Sequence, residues 1–367
     1  MGDPRISKLA RVLVRYSLAL QEGQLFLINA DMAAAPLVRE LYREALDVGA
    51  HPLLRLTFDG IEEIYYKHAS ERQLAYVSEL ARQENETVHA LLTILGNENT
   101  KALSSADPQK IAMRRQAGRD LRTRFFERVD NGEATWAITQ FPTQASAQDA
   151  ELSLAEYEDF VYGAGKVDRD DPVAAWRAVS AEQQRLADIL ATKRVFRIVG
   201  PDTDLTYHTN RRSWINADGK RNFPDGEVFT SPDETKTEGH IRFSYPAVYA
   251  GREVADVRLE FKAGTVVQAS AGRGEDLLHK LLDMDEGARR LGEAAFGTNY
   301  EIQRFSRNIL FDEKIGGTIH LALGESFAQV GGQNHSALHW DMVCDLRQGG
   351  AVYADNQLIY QDGKFII

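Results

Sequence analysis

Two histidines, two glutamates and an aspartate are the residues best suited to chemistry in this chain. His339 and Asp341 flank Trp340 in residues 336–346, SALHWDMVCDL. That run is apolar enough for a buried strand, on which residues two apart share a face. His339 and Asp341 then project together while Trp340 enters the opposite layer. His320 lies in Thr318-Ile319-His320-Leu321-Ala322-Leu323, a second apolar strand pattern. Glu227 follows the turn Asp225-Gly226, and Glu293 follows Gly292. The pattern predicts a helix before Glu293, ending Ala288-Arg289-Arg290-Leu291-Gly292. A carboxylate there opposes the helix dipole and gains from a cation.

Each residue alone has an ordinary reading: a chance His-x-Asp pair, a core histidine, a solvated glutamate, a turn-edge glutamate. Jointly they form an oxygen and nitrogen ligand set suited to zinc, cobalt or manganese rather than calcium. Thiolate is missing from the set, so a structural zinc knot is excluded. A pair of divalent ions needs a shared carboxylate, and Glu293 is the candidate bridge. Such a pair polarises a scissile carbonyl and lowers the pKa of an attacking water, the chemistry of a hydrolase.

The elements that must hold these residues are readable in outline. Strand-like runs at 23–30, 51–58, 88–95 and 135–141 alternate with helical patterns at 34–48, 71–83, 108–129 and 152–162. Such alternation predicts an α/β N-terminal domain with a largely parallel sheet covered on both faces. A helix is expected over 172–192, with Asp171 as N-cap. Beyond Lys193 the texture changes to short β-like runs at 195–199, 204–208, 241–247, 257–261 and 265–269, with one helical zone at 275–291. The reading is therefore 1–193 as the α/β domain and 194–367 as a β-rich α+β domain carrying the metal site.

Bulk composition narrows the function classes. The chain has 367 residues, 43% hydrophobic and 26% charged, as a globular protein does. A net charge of −11 opposes a phosphate-neutralising nucleic-acid surface. The Arg-rich run at 113–119 reads as a solvated helix face. No apolar run reaches the length of a membrane span. Cys344 is the one cysteine, read as a core residue, so no intrachain disulfide forms and a cytoplasmic setting is expected. The opening Met1-Gly2-Asp3-Pro4 lacks a leader pattern, and Ile6 stands where an acylation signal wants Ser or Thr.

Longer motifs carry a resemblance. They are residues 214–230 (WINADGKRNFPDGEVFT), 292–299 (GEAAFGTN), 312–324 (DEKIGGTIHLALG) and 336–343 (SALHWDMV), with 35–40 (APLVRE) near the start. In this order they resemble the thermophilic-aminopeptidase family of metallopeptidases, nearly end to end. The resemblance implies a metal-dependent aminopeptidase acting on peptides and working as a homodimer. It implies two divalent metal ions per subunit, held in the C-terminal domain by Glu227, Glu293, His320, His339 and Asp341. Glu227 and Asp341 are expected on one ion, His320 and His339 on the other, with Glu293 shared.

One position departs from the family. Members read Ser-Tyr-Pro after the first histidine, and the tyrosine belongs to the active site. Here the chain reads Ser326-Phe327-Ala328. Phe327 has no hydroxyl to donate to an oxyanion, and losing one such donor costs on the order of 10²–10³ in rate. Tyr300, His335 and Tyr353 are candidate substitutes. The departure keeps two further readings open: a hydrolase of a small non-peptide amide, and a weakened or silent homologue that binds without turnover.

Overall fold

The computed structural model describes residues 3–249 and 251–367. The opening Met1-Gly2, read above for leader and acylation signals, lies outside the described residues. The chain forms two compact units, one of residues 1–175 with 219–224, the other of 176–218 with 225–367.

The first unit is built on a five-stranded sheet. Its strands are Leu25–Asp31, His51–Thr57, Ala90–Leu95, Thr135–Gln140 and Asn222–Phe223. They lie in the order second, first, third, fourth, fifth, and every pairing is parallel. The first strand, paired on both edges, buries Phe26, Leu27, Ile28 and Ala30, as a strand covered on both faces must. The helix Ala35–Asp47 returns the chain between the first two strands, its stripe of Leu37, Val38, Leu41 and Ala45 buried. The fifth strand comes from residues 219–224, long after the other four, a pairing no local pattern announces.

Two long helical expectations are interrupted. Residues 71–83 contain two short helices, Glu71–Leu74 and Glu79–Thr87, because Ser70 and Ser78 each start one with a side-chain cap. Residues 108–129 divide at Gly118 into Pro108–Ala117 and Arg119–Asp130. The helix Pro172–Ala191 forms as expected, and the Asp171 carboxylate accepts from the Ala174 N–H.

The second unit is rich in antiparallel sheet. An eight-stranded sheet runs from Thr265–Ser270 at one edge to Lys364–Phe365 at the other. A five-stranded sheet matters more for function. Its order is His339–Asp345, Thr318–Gly324, Leu291–Gly297, Glu227–Thr230 and Ile215–Ala217, all antiparallel. One face of this sheet enters the core through Val228, Ala294, Phe296, Ile319, Leu321, Leu323, Trp340, Met342 and Cys344. Cys344 is the core residue expected of it.

The helical zone expected over 275–291 is only partly helical. The helix stops at Leu282, a single 3-10 turn follows at Glu286–Arg289, and Leu291–Gly297 is a strand. Glu293 therefore sits inside a sheet and not at a helix C-terminus. The run LGEAAFG shows neither β-branched residues nor alternation, so only pairing with two neighbouring strands makes it a strand.

Candidate metal centre

The pleat and the pairing register bring the five residues together. Successive side chains on a strand alternate faces, and directly paired residues share one. Glu293 pairs with Ala322, and Ala322 pairs with Asp341. His320 lies two residues before Ala322, and His339 two before Asp341. Glu227 pairs with Gly297. All five therefore project from the face opposite the aromatic and aliphatic core. The positions between them on that face are Ala295, Ala322, Gly297 and Gly324, small residues that leave room for long polar ones.

Glu293 occupies the middle. Its Oε1 lies 3.5 Å from His320 Nε2 and its Oε2 lies 3.2 Å from His339 Nε2. Each oxygen thus faces a different imidazole. His320 Nε2 is also 3.3 Å from Glu227 Oε2, and His339 Nε2 is 3.7 Å from Asp341 Oδ1. Three overlapping groups could hold an ion: Glu227 with Glu293 and His320, Glu293 with His339 and Asp341, and Glu313 with His320 and Asp341. In the first two of these groups each histidine stands with Glu293 and one further carboxylate, where the expected partition paired the histidines and set Glu227 with Asp341. The Glu227 strand and the Asp341 strand flank the other two, so the two outer carboxylates approach the histidines from opposite sides.

The donors suit a cation. Glu227 Oε2, His320 Nδ1 and Asp341 Oδ1 are buried without a hydrogen-bond partner. Orphaned buried polar atoms are costly, and two of these are carboxylate oxygens of the cluster. Two histidines, two glutamates and an aspartate match a pair of borderline divalent ions.

Proton affinities point the same way. Burial pushes the Glu227 carboxyl well above its usual range, and Asp341 up to about 6. Burial also raises Glu293, but hydrogen bonds from His320 and His339 outweigh it and hold that carboxyl at about 2. Burial lowers both imidazoles, yet Glu293 and the neighbouring carboxylates raise them to about 10. The cluster is short of positive charge, and protons on the imidazoles supply it when no metal does.

Neighbours fix the geometry. His339 Nδ1 lies 2.9 Å from the Glu325 carbonyl oxygen. Donation from Nδ1 leaves Nε2 as the free lone pair of the neutral ring, the arrangement that orients a ligating histidine. At Glu227 the backbone is held by Gln183, whose Nε2 donates to the Glu227 and Ala217 carbonyls at 3.0 and 2.9 Å. The preceding turn is clamped by Asn299, which donates from Nδ2 to the Asp225 carbonyl at 2.8 Å.

Two residues beside the cluster went unmarked in the sequence. Lys314 is fully buried, 3.7 Å from Glu227 Oε1 and 3.9 Å from Asp225 Oδ1, and in contact with Glu313. Although burial lowers it, these carboxylates raise its proton affinity. Glu313 brings a carboxylate oxygen within 4.8 Å of ligand atoms of His320 and Asp341. The only sequence signal for either was their place in the motif at 312–324.

Phe327 does lie at the site. Its ring meets that of His339 edge-on at 5.3 Å between centroids and that of Phe229 at 4.9 Å. None of the three candidate substitutes for the family hydroxyl joins it. The Tyr300 hydroxyl donates to the Gly363 carbonyl, the His335 side chain is 86% exposed beside Glu325, and Tyr353 pairs with Arg197 in the eight-stranded sheet.

The chain is similar to known proteins over nearly its whole length. Residues 2–365 match the family of thermophilic metalloproteases, M29. The chain belongs to that family. Among M29 relatives, aminopeptidase T of Thermus aquaticus is 30% identical over 362 residues, 88% of this chain and 85% of the relative. Aminopeptidase 2 of Geobacillus stearothermophilus is 29% identical over 350 residues, 89% of this chain and 84% of the relative. The solved structure of wild-type AmpT from Thermus thermophilus superposes with a TM-score of 0.85 at 24% identity, covering 99% of each chain. A 2,5-dihydroxypyridine dioxygenase from Pseudomonas putida shares the fold alone, with a TM-score of 0.59 at 11% identity.

Proposed function

We propose that this M29 chain is a metal-dependent aminopeptidase that releases N-terminal amino acids from peptides by water attack at a two-metal centre. The observation that carries the reading is Glu293, buried between two histidines with one oxygen facing each. The names of the relatives, aminopeptidase T and aminopeptidase 2, support the reaction class. Our assignment of ligands is Glu227 and His320 on one ion, His339 and Asp341 on the other, and Glu293 shared. Zinc, cobalt and manganese all suit these donors. The catalytic portion is the unit of residues 176–218 with 225–367, and the α/β portion is that of 1–175 with 219–224.

When bound, the paired ions polarise the scissile carbonyl and lower the pKa of the attacking water. The protein's own groups do the rest. Glu293 ties the two halves of the centre at a fixed separation. The Glu325 carbonyl holds His339 in the tautomer that presents Nε2. Lys314 offsets the charge of carboxylates buried beneath the site. Phe327 closes one side of it with an apolar ring. A small non-peptide amide is the weaker substrate reading, since it rests on Phe327 alone.

A homodimer follows from the family resemblance, and light scattering reads it directly; a monomer at working concentration would refute it. A cytoplasmic location accords with a single buried cysteine, and fractionation with localisation of the intact protein checks it. Among the described residues no helix is long and apolar enough to cross a membrane.

The deciding experiment strips the protein of metal and adds leucyl dipeptides with or without zinc, cobalt or manganese. Release of the N-terminal residue is expected only when metal is restored. Metal-independent release, or stoichiometric metal binding with no turnover of any peptide, would overturn the reading.

A further inference from the structure

The strands of His320 and His339 are joined by residues 325–338, a long loop with a single 3-10 turn at Ala328–Val330. Two features of the site depend on this loop. Its Glu325 carbonyl orients His339, and its Phe327 ring stands against that imidazole. Ordering a loop of this length costs conformational entropy, so contacts must hold it. At the neck it holds itself. The Glu325 N–H donates to the Leu338 carbonyl at 2.6 Å, and Asn334 Nδ2 donates to the Gly324 and Gly287 carbonyls at 2.6 and 2.8 Å.

The far part of the loop is held from outside. The Phe327 N–H donates to Ser231 Oγ at 2.9 Å, and the Gln333 N–H to Glu234 Oε1 at 2.7 Å. Both acceptors belong to residues 231–234, directly after the Glu227 strand. The packing there is close, since a Cβ on Gly332 would lie 2.6 Å from Ser326 Oγ and 2.8 Å from Ser231 Oγ.

One guanidinium in turn fixes residues 231–234. Arg212 Nη1 donates to the Ser231 and Pro232 carbonyls and to Glu234 Oε1, while Nη2 donates to Glu234 Oε2. The Arg212 stem also meets the loop, because a Cβ on Gly331 would rest between 3.6 and 3.8 Å from its Nε, Cγ and Cδ. The two side chains of the ion pair are only 14% and 16% exposed. Burial raises the Glu234 carboxyl, but hydrogen bonds from Arg212 and from backbone N–H groups outweigh it and hold it below its ordinary value. A bidentate pair of this kind is a strong charge-assisted contact. The planar fork bridges two carbonyls and a carboxylate at once, which an ammonium on a flexible stem does not match.

We propose that Arg212 and Glu234 are positioning residues for the reaction: as one ion pair they hold the loop 325–338 so that Phe327 stays against His339. Neither touches substrate or metal; both act through Ser231, Phe327 and Gln333. The inference rests on the aminopeptidase reading.

The test uses the full-length, metal-loaded protein and its variants Arg212→Ala, Glu234→Ala, the double variant, Arg212→Lys and Ser231→Ala. Hydrogen exchange followed by mass spectrometry needs no substrate. Both alanine variants of the pair should speed exchange across 325–338 by roughly tenfold or more, with the strands of the five-stranded sheet protected as before. With leucyl dipeptides, kcat/KM should fall roughly 10- to 100-fold at unchanged metal content, as displaced supporting groups cause. The double variant should lose no more than either single one, because the two residues act as a unit. Arg212→Lys should rescue little, since it keeps the charge and loses the fork. Ser231→Ala removes one acceptor and should give a smaller change of the same kind, which reads the loop if the pair variants fail to fold. A lower Tm with loop exchange and kcat/KM at wild-type values would make the pair a stabiliser of the fold alone and overturn the proposal. So would additive losses in the double variant, or loss of metal from the single ones. Failure of wild type to cleave any peptide would instead strike the aminopeptidase reading, and the exchange data would still show whether the pair holds the loop.

Discussion

Phe327 is the residue whose chemistry departs most from its surroundings. A ring without a hydroxyl stands edge-on to His339, where the resemblance expects a tyrosine. Its backbone is well held, since the Phe327 N–H donates to Ser231 Oγ at 2.9 Å. The position is therefore a fixed one, and the difference lies in the side chain alone. Adding the hydroxyl by Phe327→Tyr is expected to raise kcat on leucyl dipeptides by roughly 10- to 100-fold, below the full value of a well-aimed oxyanion donor because the ring packing is tuned to Phe. Steady-state kinetics checks this. Unchanged kcat would mean that position 327 does not face the oxyanion, and that the protein stabilises charge by another route.

At the scale of elements, the turn before the Glu227 strand is the most exacting part. Gly226 has φ +127°, a conformation L side chains rarely adopt, and an added Cβ would lie 2.6 Å from Asn299 Cβ. Asn299 cannot withdraw cheaply, because it clamps the Asp225 carbonyl and the adjacent Thr298 N–H donates to the Gly226 carbonyl at 2.8 Å. Glu227 is the next residue, so the strain passes directly to a proposed ligand. Gly226→Ala is expected to cost about 2–3 kcal/mol of stability from backbone strain and overlap. It should also weaken binding of the Glu227 ion by roughly 10- to 100-fold, as displaced supporting groups do. Chemical denaturation and metal titration measure the two effects separately. A loss of stability with intact metal affinity would show that the turn does not position Glu227.

For the molecule as a whole, the centre couples metal, protons and folding. In the metal-free protein His320 and His339 titrate near 10, against an ordinary 6.5, so the folded state keeps protons that the unfolded chain has released. Stability from these groups is fully present below about pH 6.5 and is lost as pH rises through about 10. Burial of Asp341, raised to about 6, acts in the same sense at lower pH. A metal ion replaces the imidazole protons and removes the dependence, while binding adds stability by mass action. The Tm of the stripped protein should therefore fall between pH 7 and 10, and that of the loaded protein should be higher and nearly flat. Parallel profiles would mean that the imidazole protons do not stand in for metal.

The sequence alone determined the identities of the candidate ligands, because motif order and residue type are properties of the chain. It also determined the parallel α/β half and the His339 and His320 strands, because alternation and apolar runs report which faces are buried. It could not place Glu293 on a strand, since LGEAAFG carries no β-branched residue or alternation and only pairing on both edges decides the matter. Nor could it assign ligands to ions, because that depends on which strands are neighbours. Residues 222–223 joining a sheet whose other strands end at residue 140 are likewise a matter of long-range pairing. Glu313 and Lys314 were read only as part of a motif. Their importance comes from burial and from facing charges brought in by Asp225, Glu227 and Asp341, distances that exist only once the chain has folded.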